Sequence, residues 1–514
     1  MAKKFYITTA IDYVNGKPHL GHAYEKVLAD VIARFKRSQG QEVYFLTGVD
    51  EHGQKVQQSA QKMGIEPQAF CDEMSAHFLT LCKKLNLSND DFVRTTEPRH
   101  KKVVQDILQK LYDQGLIYKG QFEGFYSTRQ EQFVTEKERG EDGKFPEIFG
   151  EVVQLTEENY YFKLGQYQEW LISHVTNNPD FIFPEFRRKE VLGFLQRPLS
   201  DLCISRPKNR LAWGIPFPFD AEYVTYVWFD ALINYISVVG YGTEEFGNFW
   251  PVDYHDIGKD ILIPAHAIYW PCMLKALDLP LPKTLLTHGW WTVDQEKMSK
   301  SIGNVVDPLT YIDQFGVDAF RYYLMREMVV GYDSDFSHES FLGRYNGDLA
   351  NDLGNLLNRS LNMLKRYRDG EIPAAKVKDA VDTEVEQFAS AQIAPVLEGY
   401  NHVQIHDALS NAWQIVQRAN RYVEESAPWA LAKDPTKSDK LDTVLYNLME
   451  SIRLVSVLIS PVMPEMSGKI QGQLGFSETS ADFNQGLTWG QIPVAQKIGE
   501  AVPLFPKLFE EKKG

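Results

Sequence analysis

Cysteine is scarce in this chain, whose 514 residues include only Cys71, Cys82, Cys203 and Cys272. No two of them form a C-x-x-C pair, which excludes a disulfide framework and a thiolate zinc site. Long apolar runs are also missing, so no segment is expected to span a bilayer. The first residues, Met-Ala-Lys-Lys-Phe-Tyr, begin a strand pattern rather than a secretion signal. We therefore expect a cytoplasmic protein from a reducing compartment, with no membrane partner.

Positive charge is in deficit, because the formal net charge is −15 at pH 7. This balance argues against indiscriminate binding to nucleic acid. RNA is not excluded as a partner, since a local basic face is enough to bind it. The hydrophobic content of 44% and the charged content of 24% are ordinary for a globular protein. The length predicts about three domains.

Strand and helix patterns alternate in the first part of the chain. An apolar run at residues 5–10 precedes an amphipathic helical pattern at 23–37, and a second strand pattern covers 43–48. Further helical patterns cover 54–63, 67–85 and 98–114. This alternation predicts a parallel sheet with helices on both faces. Ligands of such sheets bind beyond the carboxyl ends of the strands.

The alternation is interrupted and later resumes, which predicts a nucleotide-binding fold split by an insertion. Residues 223–230, 256–263 and 284–290 are interpreted as strands of the resumed sheet, whereas residues after 338 show helical periodicity almost throughout. The predicted fold class is α/β + all-α, with a split Rossmann-like parallel-sheet catalytic domain, an inserted connective domain and a C-terminal α-helical bundle. The expected ranges are 1–115 and 211–295 for the catalytic domain, 116–210 for the insertion, 296–337 for a loop region and 338–514 for the bundle.

Residues 13–22 form the first candidate site, a loop between a strand and a helix. His19 and His22 are three residues apart, so they share one face of the first helical turn. Gly21 between them leaves room for a purine ring to approach the backbone. A helix N-terminus offers N–H groups and a favourable dipole to phosphates. Alone the motif is weak, because His-x-Gly-His arises by chance in roughly one chain in twenty of this length.

Residues 297–301, Lys-Met-Ser-Lys-Ser, form the second candidate site. Two lysines in a small-residue loop can follow charge as it builds on a leaving pyrophosphate. The chance occurrence of this run is below roughly one in a thousand. The two motifs together indicate a site that reacts with ATP.

The two motifs resemble those of class I aminoacyl-tRNA synthetases, and their surroundings are similar to the methionyl-tRNA synthetase family. The similar runs extend over nearly the whole chain and lie at residues 10–16, 47–53, 226–231, 258–261, 345–359, 418–422 and 427–429. The resemblance implies that ATP, carrying Mg²⁺, activates L-methionine to methionyl-adenylate with release of pyrophosphate. The methionyl group would then pass to the 3′ end of tRNA(Met), including the initiator tRNA.

The resemblance also implies a role for individual residues. Catalysis would depend on His19, His22, Lys297 and Lys300. The ATP site would comprise Tyr13, Asn15, His19, Gly21, His22, Gly258, Asp260, Lys297, Ser299 and Lys300. The methionine site would comprise Ile11, Tyr13, Asp50, Trp228, Ala231, Tyr235 and His266, with Asp50 on the ammonium group and the aromatic side chains around the polarizable thioether.

The helical bundle is expected to bind the CAU anticodon of the tRNA. Unpaired bases are read by stacking and edge hydrogen bonds, and Asn420, Arg421 and Trp489 are the candidates. In the insertion, Ser127 and Gln130 stand where many relatives carry zinc-binding thiolates, so we expect no zinc. The chain ends without the additional dimerising domain of some relatives, which predicts a monomer.

Three alternatives remain open at this stage. The chain could be a class I synthetase for another amino acid, or a small-molecule nucleotidyltransferase that uses the same two motifs. It could also be a non-catalytic RNA-binding protein that retains the fold, although its intact histidines and lysines argue against this. Exchange of pyrophosphate into ATP, tested with each amino acid, separates these possibilities.

Overall fold

The structure is a computed structural model that describes residues 2–127, 132–134, 139–140, 142–293, 295–298, 304–476 and 486–506. Its first part contains β1 (Lys4–Thr9), β2 (Asp12–Tyr13), α1 (Leu20–Ser38), β3 (Glu42–Asp50), α2 (Gln54–Met63), α3 (Pro67–Lys84), β4 (Asp91–Arg94) and α4 (Pro98–Asp113). The insertion contains β5 (Ile117–Ser127), β6 (Gln132–Val134), β7 (Val152–Phe162), α5 (Gln168–Asn177), β8 (Ile182–Phe183), α6 (Glu185–Phe194), β9 (Leu202–Cys203) and β10 (Ser205–Pro207).

The second part of the chain returns to the sheet and then becomes helical. It contains β11 (Tyr223–Thr225), α7 (Val227–Leu232), α8 (Asn234–Ser237), β12 (Tyr254–Gly258), α9 (Lys259–Ile261), α10 (Trp270–Ala276), β13 (Thr284–His288), β14 (Trp291–Val293) and β15 (Glu296–Lys297). There follow α11 (Pro308–Phe315), α12 (Val317–Glu327), β16 (Ser334–Phe336), α13 (His338–Arg344), α14 (Asn355–Arg368), α15 (Ala380–Asn401), α16 (Ile405–Ser426), α17 (Pro428–Leu431), α18 (Ser438–Leu458) and α19 (Pro464–Gln473).

The main sheet has the strand order β2-β3-β1-β12-β13-β8, with β4 also paired to β3. All of these pairs are parallel. Strand β1 lies between β3 from the first part and β12 from the second, so the sheet exists only when both parts have folded together. The expected fold class, a split parallel-sheet domain with an insertion and a helical C-terminal region, is confirmed.

Helix α1 lies against the sheet and carries the first motif at its N-terminus. It spans Leu20–Ser38, three residues earlier than the apolar periodicity predicts, because His19 and not a later residue is the N-cap. Nearly the whole length of α1 is buried, including its lysine at position 26. The helix contacts β1, β3 and β12, and its other side packs on α12. The first motif is therefore attached to the most buried helix of the catalytic domain.

The residues 223–230 were predicted to form one strand of the main sheet, and this prediction is wrong. Only Tyr223–Thr225 is extended, and it pairs antiparallel with β10 outside the main sheet. The remaining residues form α7, whose central residues are buried. A short apolar run that is buried on all sides has no periodicity by which helix and strand can be told apart.

The insertion departs from the expectation in one respect. Its antiparallel strands β5, β6, β7 and β9 form a separate sheet, as its aromatic and turn-rich composition suggests. Strand β8, however, adds to the edge of the main sheet, where Leu285 and Leu286 pair with Ile182 and Phe183. The insertion thus completes one edge of the catalytic sheet.

A buried ion pair connects the catalytic domain to the helical bundle. Arg321 on α12 is fully buried, and its Nη2 lies 2.7 Å from Oδ2 of Asp30 on α1. The same guanidinium donates to the carbonyls of Leu85, Pro461 and Val462. In the described ranges, no helix combines the length and the apolar content that crossing a bilayer requires.

Candidate active site

His19 and His22 form a reciprocal capping box at the start of α1. The backbone N–H of Gly21 donates to Nδ1 of His19 at 3.1 Å, and the backbone N–H of His19 donates to Nδ1 of His22 at 3.0 Å. A backbone N–H is always a donor, so both Nδ1 atoms must be unprotonated. The neutral rings therefore carry their protons on Nε2. The rings stack at a centroid distance of 3.8 Å, which presents two hydrogen-bond donors at one helix end.

The second motif approaches this helix end through its flanking residues. Lys297 ends β15, which pairs with β14, and Met298 packs half-buried against the core. Residues 299–301, with Ser299 and Lys300, lie outside the described ranges. On the far side of the motif, the N–H of Leu20 donates to the carbonyl of Val306 at 3.2 Å. The chain that follows the motif thus contacts the first turn of α1.

An ion pair that the sequence did not predict lies behind the two histidines. Nζ of Lys26 is 2.5 Å from Oδ2 of Asp12, and Nε2 of His22 is 3.9 Å from Oδ1 of the same carboxylate. Burial opposes the charge of Lys26, but attraction by Asp12 outweighs it and raises the pKa of the ammonium group. His22 and Lys26 are four residues apart, so the helical spacing alone could have indicated that they share a face.

A second buried pair follows on the same helix. Nε2 of His288, at the end of β13, lies 3.0 Å from Oε2 of Glu25. Burial disfavours a charged imidazole, but the hydrogen bond from Glu25 and the nearby carboxyl of Asp256 raise the pKa of His288 to about 9. The protonated imidazole therefore ties α1 to the sheet at neutral pH.

The residues expected to bind methionine come together on one side of this helix end. Tyr13 pairs with Asp50 across β2 and β3, so the carboxylate lies beside the aromatic ring. Trp228 meets His266 edge to face at 6.4 Å between centroids. Ala231 and Tyr235 are buried in the adjoining α7 and α8, and Ile11 is half-buried against the same core.

Hydrogen bonds fix the state of His266. Its Nδ1–H donates to the carbonyl of Ile261 at 2.9 Å, so its Nε2 accepts from the hydroxyl of Tyr235 at 2.8 Å. Burial lowers the pKa of His266 to about 4. Both groups are therefore neutral, and this wall of the pocket is polarizable without carrying charge.

Beneath Asp50, a buried carboxylate bridges two histidines that sequence reasoning left without a role. Asp230 accepts from Nδ1 of His52 at 2.6 Å and from Nε2 of His100 at 2.7 Å. Burial would raise the pKa of Asp230, but the charge of His52 and the hydrogen bond from His100 lower it to about 2. The network joins the loop after β3, with its Asp50, to α7. The motif Asp-Glu-His-Gly at 50–53 was the available signal.

The residues expected at the ribose end lie where β12 finishes. The predicted strand 256–263 ends at Gly258, and a helical turn then carries the exposed Asp260. Trp290 Nε1 donates to Oδ1 of Asp260 at 3.1 Å. A Cβ on Gly258 would lie 2.7 Å from that same oxygen, so the approach requires glycine. Asn15 is exposed on the loop opposite.

The candidate tRNA-binding residues are separate from this site. Asn420 and Arg421 belong to α16, where the amide of Asn420 donates to the carbonyl of Asp352 and Arg421 is exposed. Trp489 is half-buried on a turn beside α18. In the insertion, the hydroxyl of Ser127 donates to the carbonyl of Phe149, and Gln130 lies outside the described residues.

Imidazole donors at a helix N-terminus, beyond the strand ends of a split parallel sheet, define the class I aminoacyl-tRNA synthetases. The model for tRNA synthetases class I (M) matches residues 5–151 and 143–361. The model for the anticodon binding domain of methionyl tRNA ligase matches residues 372–514.

Similar proteins agree over the full length of the chain. The methionine–tRNA ligases of Caldanaerobacter subterraneus subsp. tengcongensis and Clostridium perfringens are 45% and 47% identical to it, over 100% and 99% of this chain and 80% and 79% of theirs. The structure of Mycobacterium tuberculosis methionyl-tRNA synthetase in complex with methionyl-adenylate is 38% identical, with a TM-score of 0.92, over 98% of this chain and 100% of that one. The chain belongs to the methionyl-tRNA synthetase family.

Proposed function

We propose that this protein is a methionine–tRNA ligase. The carboxylate of L-methionine attacks the α-phosphorus of ATP, and the bond to pyrophosphate breaks to leave methionyl-adenylate. The terminal ribose hydroxyl of tRNA(Met) then attacks the activated carbonyl and releases AMP. The observation that carries the proposal is membership of the family over the whole chain, together with an intact pair of imidazole donors at the helix end. Positioning and electrostatics supply the catalysis, without a covalent enzyme intermediate.

The phosphates of ATP occupy the helix end in this proposal. His19 and His22 donate from Nε2 to phosphate oxygens, and these bonds strengthen as negative charge builds in the transition state. Lys297 and Lys300 hold the β- and γ-phosphates, and Ser299 donates beside them. The contact between Leu20 and Val306 supports this arrangement, because it keeps the chain after the lysines next to α1.

The nucleoside part of ATP lies across the ends of β1 and β12. Asp260 accepts from the ribose hydroxyls, and its exposed position supports this role. Gly258 and Gly21 allow the base and sugar to approach the backbone, where a side chain would intrude. A Cβ on Gly21 would lie 3.1 Å from the ring of His19. Tyr13 and Asn15 close the loop side.

Methionine binds next to the α-phosphate through opposite ends of its structure. Asp50 pairs with the ammonium group, and the network through Asp230 holds the loop that carries Asp50. The thioether contacts the rings of Trp228, Tyr235 and His266, with Ile11, Tyr13 and Ala231 completing the walls. A neutral pocket of this kind suits a polarizable sulfur, which makes favourable contacts with aromatic rings.

Magnesium ion is expected to enter with ATP, where it would neutralise phosphate charge. The described groups at the phosphate end are imidazoles and backbone N–H groups, whereas Mg²⁺ prefers oxygen ligands. The nucleotide itself therefore provides the ligands that fit. No zinc is proposed, because Ser127 replaces a thiolate and its hydroxyl is bound to a carbonyl.

The helical bundle is proposed to bind the CAU anticodon. The match to an anticodon binding domain supports tRNA as the partner of residues 372–514. Asn420, Arg421 and Trp489 are the proposed contacts to the bases. A monomeric state and a cytoplasmic location stay predictions from the sequence.

Exchange of labelled pyrophosphate into ATP tests the activation step. With methionine present, exchange should be rapid, and the other amino acids should give background rates. Rapid exchange with a different amino acid would contradict the assignment, and adenylate transfer without any amino acid would favour a nucleotidyltransferase. Charging of tRNA with a CAU anticodon tests the second step. A failure there, with normal exchange, would contradict only the role of the bundle.

A further inference from the structure

The turn that carries Trp489 is held by a buried ion pair on α18. Glu450 is fully buried and Arg453 is 3% exposed. The guanidinium donates to both carboxylate oxygens, with Nε at 2.7 Å from Oε2 and Nη2 at 2.7 Å from Oε1. A bidentate pair of this geometry is rigid as well as strong.

Arg453 holds the N-terminal side of the turn. Its Nη1 donates to the carbonyl of Gly486 at 2.7 Å, and its Nη2 donates to the carbonyl of Thr488 at 2.9 Å. These two carbonyls lie three positions and one position before Trp489.

Glu450 holds the C-terminal side. Its Oε1 accepts from the N–H groups of Gly490 at 2.6 Å and Gln491 at 3.0 Å, and its Oε2 accepts from Ile492 at 3.0 Å. Gly490 has a φ of +88°, a conformation that most side chains disfavour. The backbone is thus fixed on both sides of the half-buried Trp489.

We propose that the Glu450–Arg453 pair is a positioning device for Trp489, which holds the indole ready to stack on an unpaired base of the tRNA. This inference rests on the proposed role of Trp489 in anticodon binding. An irregular turn that is free to move must be ordered when RNA binds, and that ordering weakens the affinity. The five hydrogen bonds to the turn remove this cost before the tRNA arrives.

A purely structural role is the competing explanation. Buried ion pairs contribute little net stability, because desolvation of the charges offsets their attraction. A well-packed apolar pair would stabilise α18 equally well, but it could not bond to the five backbone groups that flank Trp489. The location of the pair at this turn therefore favours positioning.

The test compares Glu450→Gln, Trp489→Ala and the double variant. The KM for tRNA in methionine charging should rise roughly 10- to 100-fold in each single variant, as expected for the loss of one base stack. The kcat of charging and the rate of pyrophosphate exchange should stay within about twofold, because the ATP site lies in the other domain. The double variant should be no worse than Trp489→Ala alone.

Asp442→Asn is the matched control, because Asp442 is a buried carboxylate on the same helix that pairs with Arg368 away from the turn. It should leave the KM for tRNA unchanged, even if its melting temperature falls as far as that of Glu450→Gln. If Glu450→Gln does not fold, Arg453→Lys replaces it in the same cycle, since lysine keeps the charge but loses the fork.

Two outcomes separate the inference from the function on which it rests. If Trp489→Ala leaves the KM for tRNA unchanged, the proposed role of Trp489 is wrong. If Trp489→Ala raises it but Glu450→Gln does not, or if the two effects multiply in the double variant, the positioning role is wrong and the role of Trp489 stands.

Discussion

His19 combines two functions that one substitution can separate. Its Nδ1 caps α1 by accepting from Gly21, and its Nε2 is the donor proposed to contact the phosphates. Asparagine is among the best N-cap residues, so His19→Asn keeps the cap and removes the Nε2 donor. His19→Ala removes both.

The two variants should therefore differ in stability but not in rate. Loss of one preorganised donor to a transition state lowers kcat by about 100- to 1000-fold, which corresponds to about 3–4 kcal/mol. Both variants should lose pyrophosphate exchange by this factor, with little change in the KM for methionine. Only His19→Ala should also lose about 1 kcal/mol in the free energy of unfolding.

Exchange kinetics at saturating methionine and urea denaturation measure the two effects. His19→Asn with exchange within threefold of the parent protein would refute the reasoning, since His19 would then be only a helix cap. Equal stability of both variants would show that the Gly21 contact does not stabilise the helix.

Three further predictions follow from the same contacts. Because the pKa of His288 is raised to about 9 in the folded protein, its contribution is complete below pH 6.5 and lost as the pH rises through 9; about 3 kcal/mol of unfolding free energy should disappear, and Glu25→Gln should abolish this dependence in urea titrations. Arg321→Met leaves the buried Asp30 unpaired and should cost about 3–5 kcal/mol, whereas Arg359→Met, at an exposed pair, should cost under about 1 kcal/mol; equal costs would contradict the interpretation. A zinc-selective chelator should leave pyrophosphate exchange unchanged, whereas EDTA should abolish it until Mg²⁺ is restored; loss of exchange with the first chelator would contradict the absence of zinc.

Local patterns were sufficient for much of the architecture. The alternation of strands and helices predicts the parallel sheet, and the helical periodicity after residue 338 predicts the bundle. The segment 223–230 shows the limit, because a short run of buried apolar residues fits both helix and strand. The edge strand β8 was also missed, since two residues carry no periodic signal.

The sequence by itself determined the chemistry of the two motifs, because their residue types and spacing are local properties of the chain. It also determined that His19 and His22 share one face of a helix. Only the tertiary structure decided which nitrogen of each imidazole carries the proton, and that Asp12 and Lys26 lie behind them. It likewise decided the pairing of His52 with Asp230 and of Glu25 with His288, which are 178 and 263 positions apart. Periodicity gives the face on which a side chain lies, but its partner across such distances depends on how the sheet closes around both halves of the chain.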